Sequence, residues 1–209
     1  MGGMAGKLAM TLSSGLDFVG MGAFTGASGL TGSESDGTQL LTAPADAPGT
    51  WTADEVTRTA NAVLAPDGTT TATSVIENTG SLYHRIRVAL GDIGSTGTFT
   101  FSAYLKPAGR RYIEIHVQNG PEVYAIYDLQ TGVVSTSGTN GGFGTLTSTA
   151  IAVGANGYYK CTIVYSTSNT FTDIIVAAQT SASFAIGGQH YTGDGASGFY
   201  FWRPKLTQP

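Results

Sequence analysis

The stretch RYIEIHVQNGPEVYAIYDL, residues 111–129, decides the fold class. Ile113, Ile115 and Val117 alternate with Tyr112, Glu114, His116 and Gln118. That is the two-residue period of a strand with one buried face. Asn119-Gly120-Pro121-Glu122 is turn chemistry, and an apolar, aromatic run resumes at Val123. The stretch therefore predicts an antiparallel hairpin.

The pattern continues on both sides. In TFTFSAYLK, residues 98–106, Phe99, Phe101, Ala103 and Leu105 share one face, and Thr98, Thr100, Ser102, Tyr104 and Lys106 the other. Downstream, Asn140-Gly141-Gly142 and Asn156-Gly157 mark turns. Strand patterns follow at residues 158–166 (YYKCTIVYS), 171–179 (FTDIIVAAQ) and 198–206 (GFYFWRPKL). No segment has a helical period and no short repeat recurs. The expectation is an all-β, antiparallel β-sandwich of jelly-roll type over residues 40–209. Trp51 and Trp202 are expected in its core, and Cys161 as a small buried hydrophobe.

Composition agrees. Charged residues are 11% of the chain, against roughly 25% in an ordinary soluble domain. The chain holds 30 glycines, and a glycine inside a helix costs about 1 kcal/mol. The net charge is −4 and the basic residues are scattered, so no nucleic-acid footprint is expected. One cysteine cannot make an internal disulfide. No run approaches the roughly 18 apolar residues of a membrane span. Lys7 precedes LAMTLSSGL, residues 8–16, which is too weakly apolar for an expected signal peptide.

Residues 1–39 read as a glycine-rich N-terminal arm and linker. The arm holds all four methionines, and it has too little side chain to fold alone. It gains order only when tied down, and Met10, Phe18, Met21 and Phe24 are its candidate anchors on another chain.

Catalysis finds little support. Glycoside cleavage needs two placed carboxylates, and the acidic residues are dispersed. His84, His116 and His190 stand on separate segments, without metal-ligand spacing. No cofactor is expected. A structural Ca²⁺ at Asp67 or Asp194 is left open, without a ligand set. A binding surface fits better, because sugars stack on aromatic faces and are oriented by a few polar groups. If residues 98–106 and 111–118 are neighbours, Tyr104, Tyr112, Glu114 and His116 share one outward face, the expected glycan-binding surface.

Several pieces taken in order resemble the carbohydrate-binding-module-like jelly-roll domains of bacteriophage structural proteins. They are Trp51, APDGTTTA (residues 65–72), His84, FSAYLKPAGRRYIEI (101–115), YDLQTGVV (127–134), GYYKC (157–161) and FYFWRPKLTQ (199–208). Arg203-Pro204-Lys205 departs from the family's Gly-Ala-Gln, and Gln208 stands near its acidic end. The resemblance implies a virion protein of tail-fibre, appendage or head-decoration type, with the arm docked on other virion proteins. It also implies a homo-oligomer, for which a trimer is the expectation, and a host-surface glycan as ligand. A free or secreted carbohydrate-binding lectin is the alternative reading.

Overall fold

The computed structural model describes residues 38–43 and 47–209. They form fifteen strands and no α-helix. In chain order these are β1 (Thr38–Gln39), β2 (Thr52–Asp54), β3 (Val56–Val63), β4 (Ala72–Glu77), β5 (Ser81–Tyr83), β6 (Arg85–Asp92), β7 (Gly97–Ala108) and β8 (Tyr112–Gln118). Then follow β9 (Val123–Asp128), β10 (Val133–Thr139), β11 (Gly144–Val153), β12 (Tyr159–Thr167), β13 (Phe171–Gln179), β14 (His190–Thr192) and β15 (Gly198–Gln208).

Sheet A runs β11-β12-β7-β15-β4-β3, with β1 against the end of β15, and sheet B runs β10-β9-β8-β13-β6-β2. All ladders within both sheets are antiparallel. β14 and β5 form a separate pair. The chain passes repeatedly between the sheets, and late β15 fills the middle of sheet A, between β7 and β4. This is the sandwich expected from the alternation. Thr38 and Gln39, placed with the linker on sequence, pair with Gln208 and Thr207 as an edge of sheet A.

The β8–β9 hairpin forms in the expected register, with Ile113 opposite Tyr127 and Ile115 opposite Ala125. Its counterpart does not form. β7 pairs with β12 and β15, while β8 lies in the other sheet. The reason is burial. β7 presents Phe99, Phe101, Ala103 and Leu105 inward, and β8 presents Ile113, Ile115 and Val117 inward. Facing sheets let these two apolar rows cover each other, about 10 Å apart. Residues 109–111 make the crossing. Gly109 allows it with φ +96, at a point where a Cβ would meet Ser197 Oγ at 2.6 Å.

The core between the sheets holds Trp51, Phe99, Phe101, Tyr127, Phe199 and Phe201, all buried. Trp51 packs edge-on to Phe201 with ring centroids 5.2 Å apart. The Tyr127 hydroxyl, in sheet B, donates to the Thr162 carbonyl of β12 in sheet A at 2.7 Å. Its buried polar end thus has a partner. Cys161 is buried in the same core, as expected.

Candidate functional site

The expected glycan surface is not assembled. Tyr104 lies on the outer face of sheet A, while Tyr112, Glu114 and His116 lie on the outer face of sheet B. The two faces look away from each other because β7 and β8 belong to opposite layers. Glu114 and His116 are also closed off from solvent, each 0% exposed. They lie beneath residues 180–189, the connection between β13 and β14.

That strap is held in several ways. Phe184 stacks on Tyr124 with ring centroids 3.6 Å apart and meets the His116 edge at 5.5 Å. The Gly187 N–H donates to His116 Nδ1 at 3.2 Å, and Arg85 Nη1 donates to the Gly187 carbonyl at 2.7 Å. Thr136 Oγ1 donates to the Ala182 carbonyl at 2.9 Å. An acceptor at Nδ1 places the proton of the neutral ring on Nε2, which stands 3.3 Å from Glu122 Oε2. Glu114 accepts from Gln179 Nε2 and the Ala185 N–H. Burial pushes the Glu114 carboxyl up to about 8, and burial pushes the His116 imidazole down. This group therefore pins a loop and presents no open surface.

An open concavity lies on sheet A. Along β15, Phe199 and Phe201 face the core, so Tyr200 and Trp202 face outward. Trp202, expected in the core, is half-buried at the wall of a groove of about 420 Å³. The alternation of GFYFW was the signal that could have placed it there. Its Nε1 donates to Thr71 Oγ1 at 3.0 Å, and Tyr104 packs against it at 5.3 Å. A small outer core of Ala65, Ala72 and Tyr158 supports this side, with Tyr104, Tyr200 and Trp202 packed on it. Asn156 Nδ2 ties the neighbouring loop down by donating to the Ala65 carbonyl at 2.7 Å.

Two backbone irregularities shape the groove. In β15 the register against β7 shifts between Trp202 and Lys205, a one-residue bulge. Without it Leu206 would point outward, because a one-residue slip reverses every later side chain. With it Leu206 is buried and Arg203 is set aside at φ +48, exposed on the groove. Across from it, β3 has three residues between Thr59 and Val63 against one between their partners Ser74 and Ala72 in β4, and Asn61 there has φ +53. A 3₁₀ turn, Pro48–Thr50, lines the groove. It is held by Arg58 Nη1 donating to the Gly49 carbonyl at 3.1 Å. Pro48, Asn61, Thr71, Thr73, Trp202 and Arg203 carry the chemistry of the lining, and none of the described lining residues is acidic. The groove can stack an apolar ring face and hydrogen-bond hydroxyls, and its described lining offers no general acid or base.

The remaining sequence candidates resolve as follows. Asp67 Oδ1 accepts from the Thr69 N–H and hydroxyl, and Asp194 accepts from the Ala196 and Ser197 N–H groups and the Ser197 hydroxyl. Each carboxyl is held below its ordinary value chiefly by those side-chain hydroxyl bonds. Among the described residues no three His, Cys, Asp or Glu stand together as a metal site. Met10, Phe18, Met21 and Phe24 lie outside the described residues. Sequence reading missed the fully buried Glu77 side chain. It accepts a two-toothed contact from Arg110, a 2.7 Å bond from the Tyr191 hydroxyl and a 2.9 Å bond from the Asp194 N–H. These bonds clamp the segment leading into β15.

The described residues therefore define an antiparallel β-sandwich with an aromatic-walled groove on one outer face. No family model matches the chain, and no curated protein matches it.

Proposed function

We propose that this chain is a phage virion structural protein, of tail-fibre, appendage or head-decoration type, whose sandwich displays a glycan-binding groove at Trp202. The observation that carries the binding reading is Trp202 itself. It is an indole fixed by Thr71 and Tyr104, half-buried at the wall of a groove with Asn61, Thr71 and Thr73 around it. A pyranose lays its C–H face on such a ring and gives its hydroxyls to such side chains. The virion placement rests on the resemblance of residues 51–208 to phage domains, and it gives the glycine-rich arm a docking role on other virion proteins. Among the described residues the groove lining carries no acidic side chain, which favours holding a sugar over cleaving it.

Two experiments test the two halves. On an array of bacterial-surface saccharides, Trp202→Ala is expected to lose at least about ten-fold in affinity, the weight of one aromatic contact. Its thermal midpoint confirms that it folds. Unchanged binding in that variant would remove the groove from the reading. Gold-tagged antibody against residues 51–209 is expected to label phage particles. Label on no particle would leave a free lectin in place of a virion protein.

A further inference from the structure

We propose that the Trp202 groove selects acidic saccharides, with a sugar carboxylate held by Arg203 while the pyranose lies on Trp202. This rests on the glycan reading above and names the ligand class it takes.

The first ground is charge. Among the described residues that line the groove Arg203 alone is charged, and none of them is a carboxylate. It makes no ion pair with another described residue. The second arginine at this end, Arg58, is already engaged by the Gly49 carbonyl. Asp67 is the carboxylate that senses Arg203, but its Oδ1 is occupied by Thr69, and Arg203 is the weakest influence on it. On a chain of net charge −4, this is a local positive site that no ion pair among the described residues cancels.

The second ground is presentation. Arg203 occupies the left-handed region at φ +48, which is strained for a residue that bears a side chain. The bulge that restores Leu206 to the core could place glycine there without that strain. Arginine there projects a guanidinium from a fixed backbone kink, braced by the buried Pro204. Bulges commonly re-aim a side chain beside a functional site in this way.

The third ground is the pairing of chemistries. The Arg203 guanidinium is 5.7 Å from the Trp202 ring centroid. A pyranose stacked on the indole brings a carboxylate at its edge to the guanidinium. The planar fork of arginine matches a carboxylate with two parallel hydrogen bonds. Neutral sugars satisfy the indole and leave the guanidinium without an anion.

The test uses the full chain and calorimetric titration. The probes are neutral oligohexoses (glucan, galactan and mannan) and the same oligomers oxidised to the carboxylate at C6. The acidic member of at least one pair is expected to bind about ten-fold or more tightly, the size of one charge-assisted contact. The preference is expected to shrink as ionic strength rises. In Arg203→Gln the ratio of acidic to neutral affinity is expected to fall to near one, and Arg203→Lys to keep part of it. Equal affinity for both members in the native chain overturns the acidic class and leaves the glycan reading standing. So does a preference unchanged in Arg203→Gln. Binding of neither member in any pair overturns the glycan reading, and the inference with it.

Discussion

Asn61 and Arg203 border the same groove from two different strands, and both hold left-handed backbone that glycine adopts at no steric cost. The strain is local, so its removal is measurable. Arg203→Gly is expected to unfold in urea at a midpoint no lower than the native chain, because relief of about 1–2 kcal/mol offsets the entropy glycine adds to the unfolded state. A clearly lower midpoint would mean that the arginine side chain itself supports the fold. Trp202 shows what was legible at this scale. The alternation of GFYFW places Phe199 and Phe201 on one face and Trp202 on the other, so its outward direction was readable. The groove was not readable, because its walls come from residues 47–50, 60–61, 71, 73 and 202–203, which only the folded sheet brings together.

At the scale of elements, the strap over sheet B joins a loop to two titratable groups, and the signs of their effects differ. The Glu114 carboxyl ordinarily ionises near 4.5 and is raised by burial to about 8. Its contribution to stability is complete below about 4.5 and is lost as pH rises towards about 8. His116 is shifted below its ordinary 6.5, first by burial and also by the Arg85 charge, against the opposing pull of Glu122. Its contribution is complete above 6.5 and is lost as pH falls through the folded value. Between 6.5 and about 8 Glu114 acts alone, so the native urea midpoint is expected to fall with rising pH and that of Glu114→Gln to stay flatter. On the acid side, protonation of Nδ1 removes the acceptor for the Gly187 N–H. Hydrogen exchange at Gly187 is then expected to speed up on acidification relative to the β8 amides, once corrected for intrinsic rates. Parallel rates across the pH range would show that the strap is not pinned by His116. The elements themselves were the most legible part of the sequence. The β8–β9 hairpin has its turn residues where the ladder requires them, and Asp128 closes the next turn through the Gln130 N–H and Thr131 hydroxyl. The β7–β8 neighbourhood was misread because a period of two reports which residues share a face and is silent on which sheet holds the strand.

For the whole molecule, the described sandwich has its own core, drawn from both sheets, and its own closing strand. A chain of residues 38–209 is therefore expected to unfold cooperatively, within a few degrees of the full-length midpoint. A broad or absent transition would mean that residues 1–37 belong to the fold. β15 pairs with β7 on one side, β4 on the other, and β1 at its end. It also carries Trp202 and Arg203. Until residues beyond 198 have left the ribosome, β7 and β4 each wait with a bare edge, and the groove does not exist. Such long-range pairing is slow to nucleate. The nascent chain thus passes a stage with bare sheet edges, and it closes sheet A and builds the groove in a single late event. A copy cut short before Gly198 is predicted to fail in both respects at once.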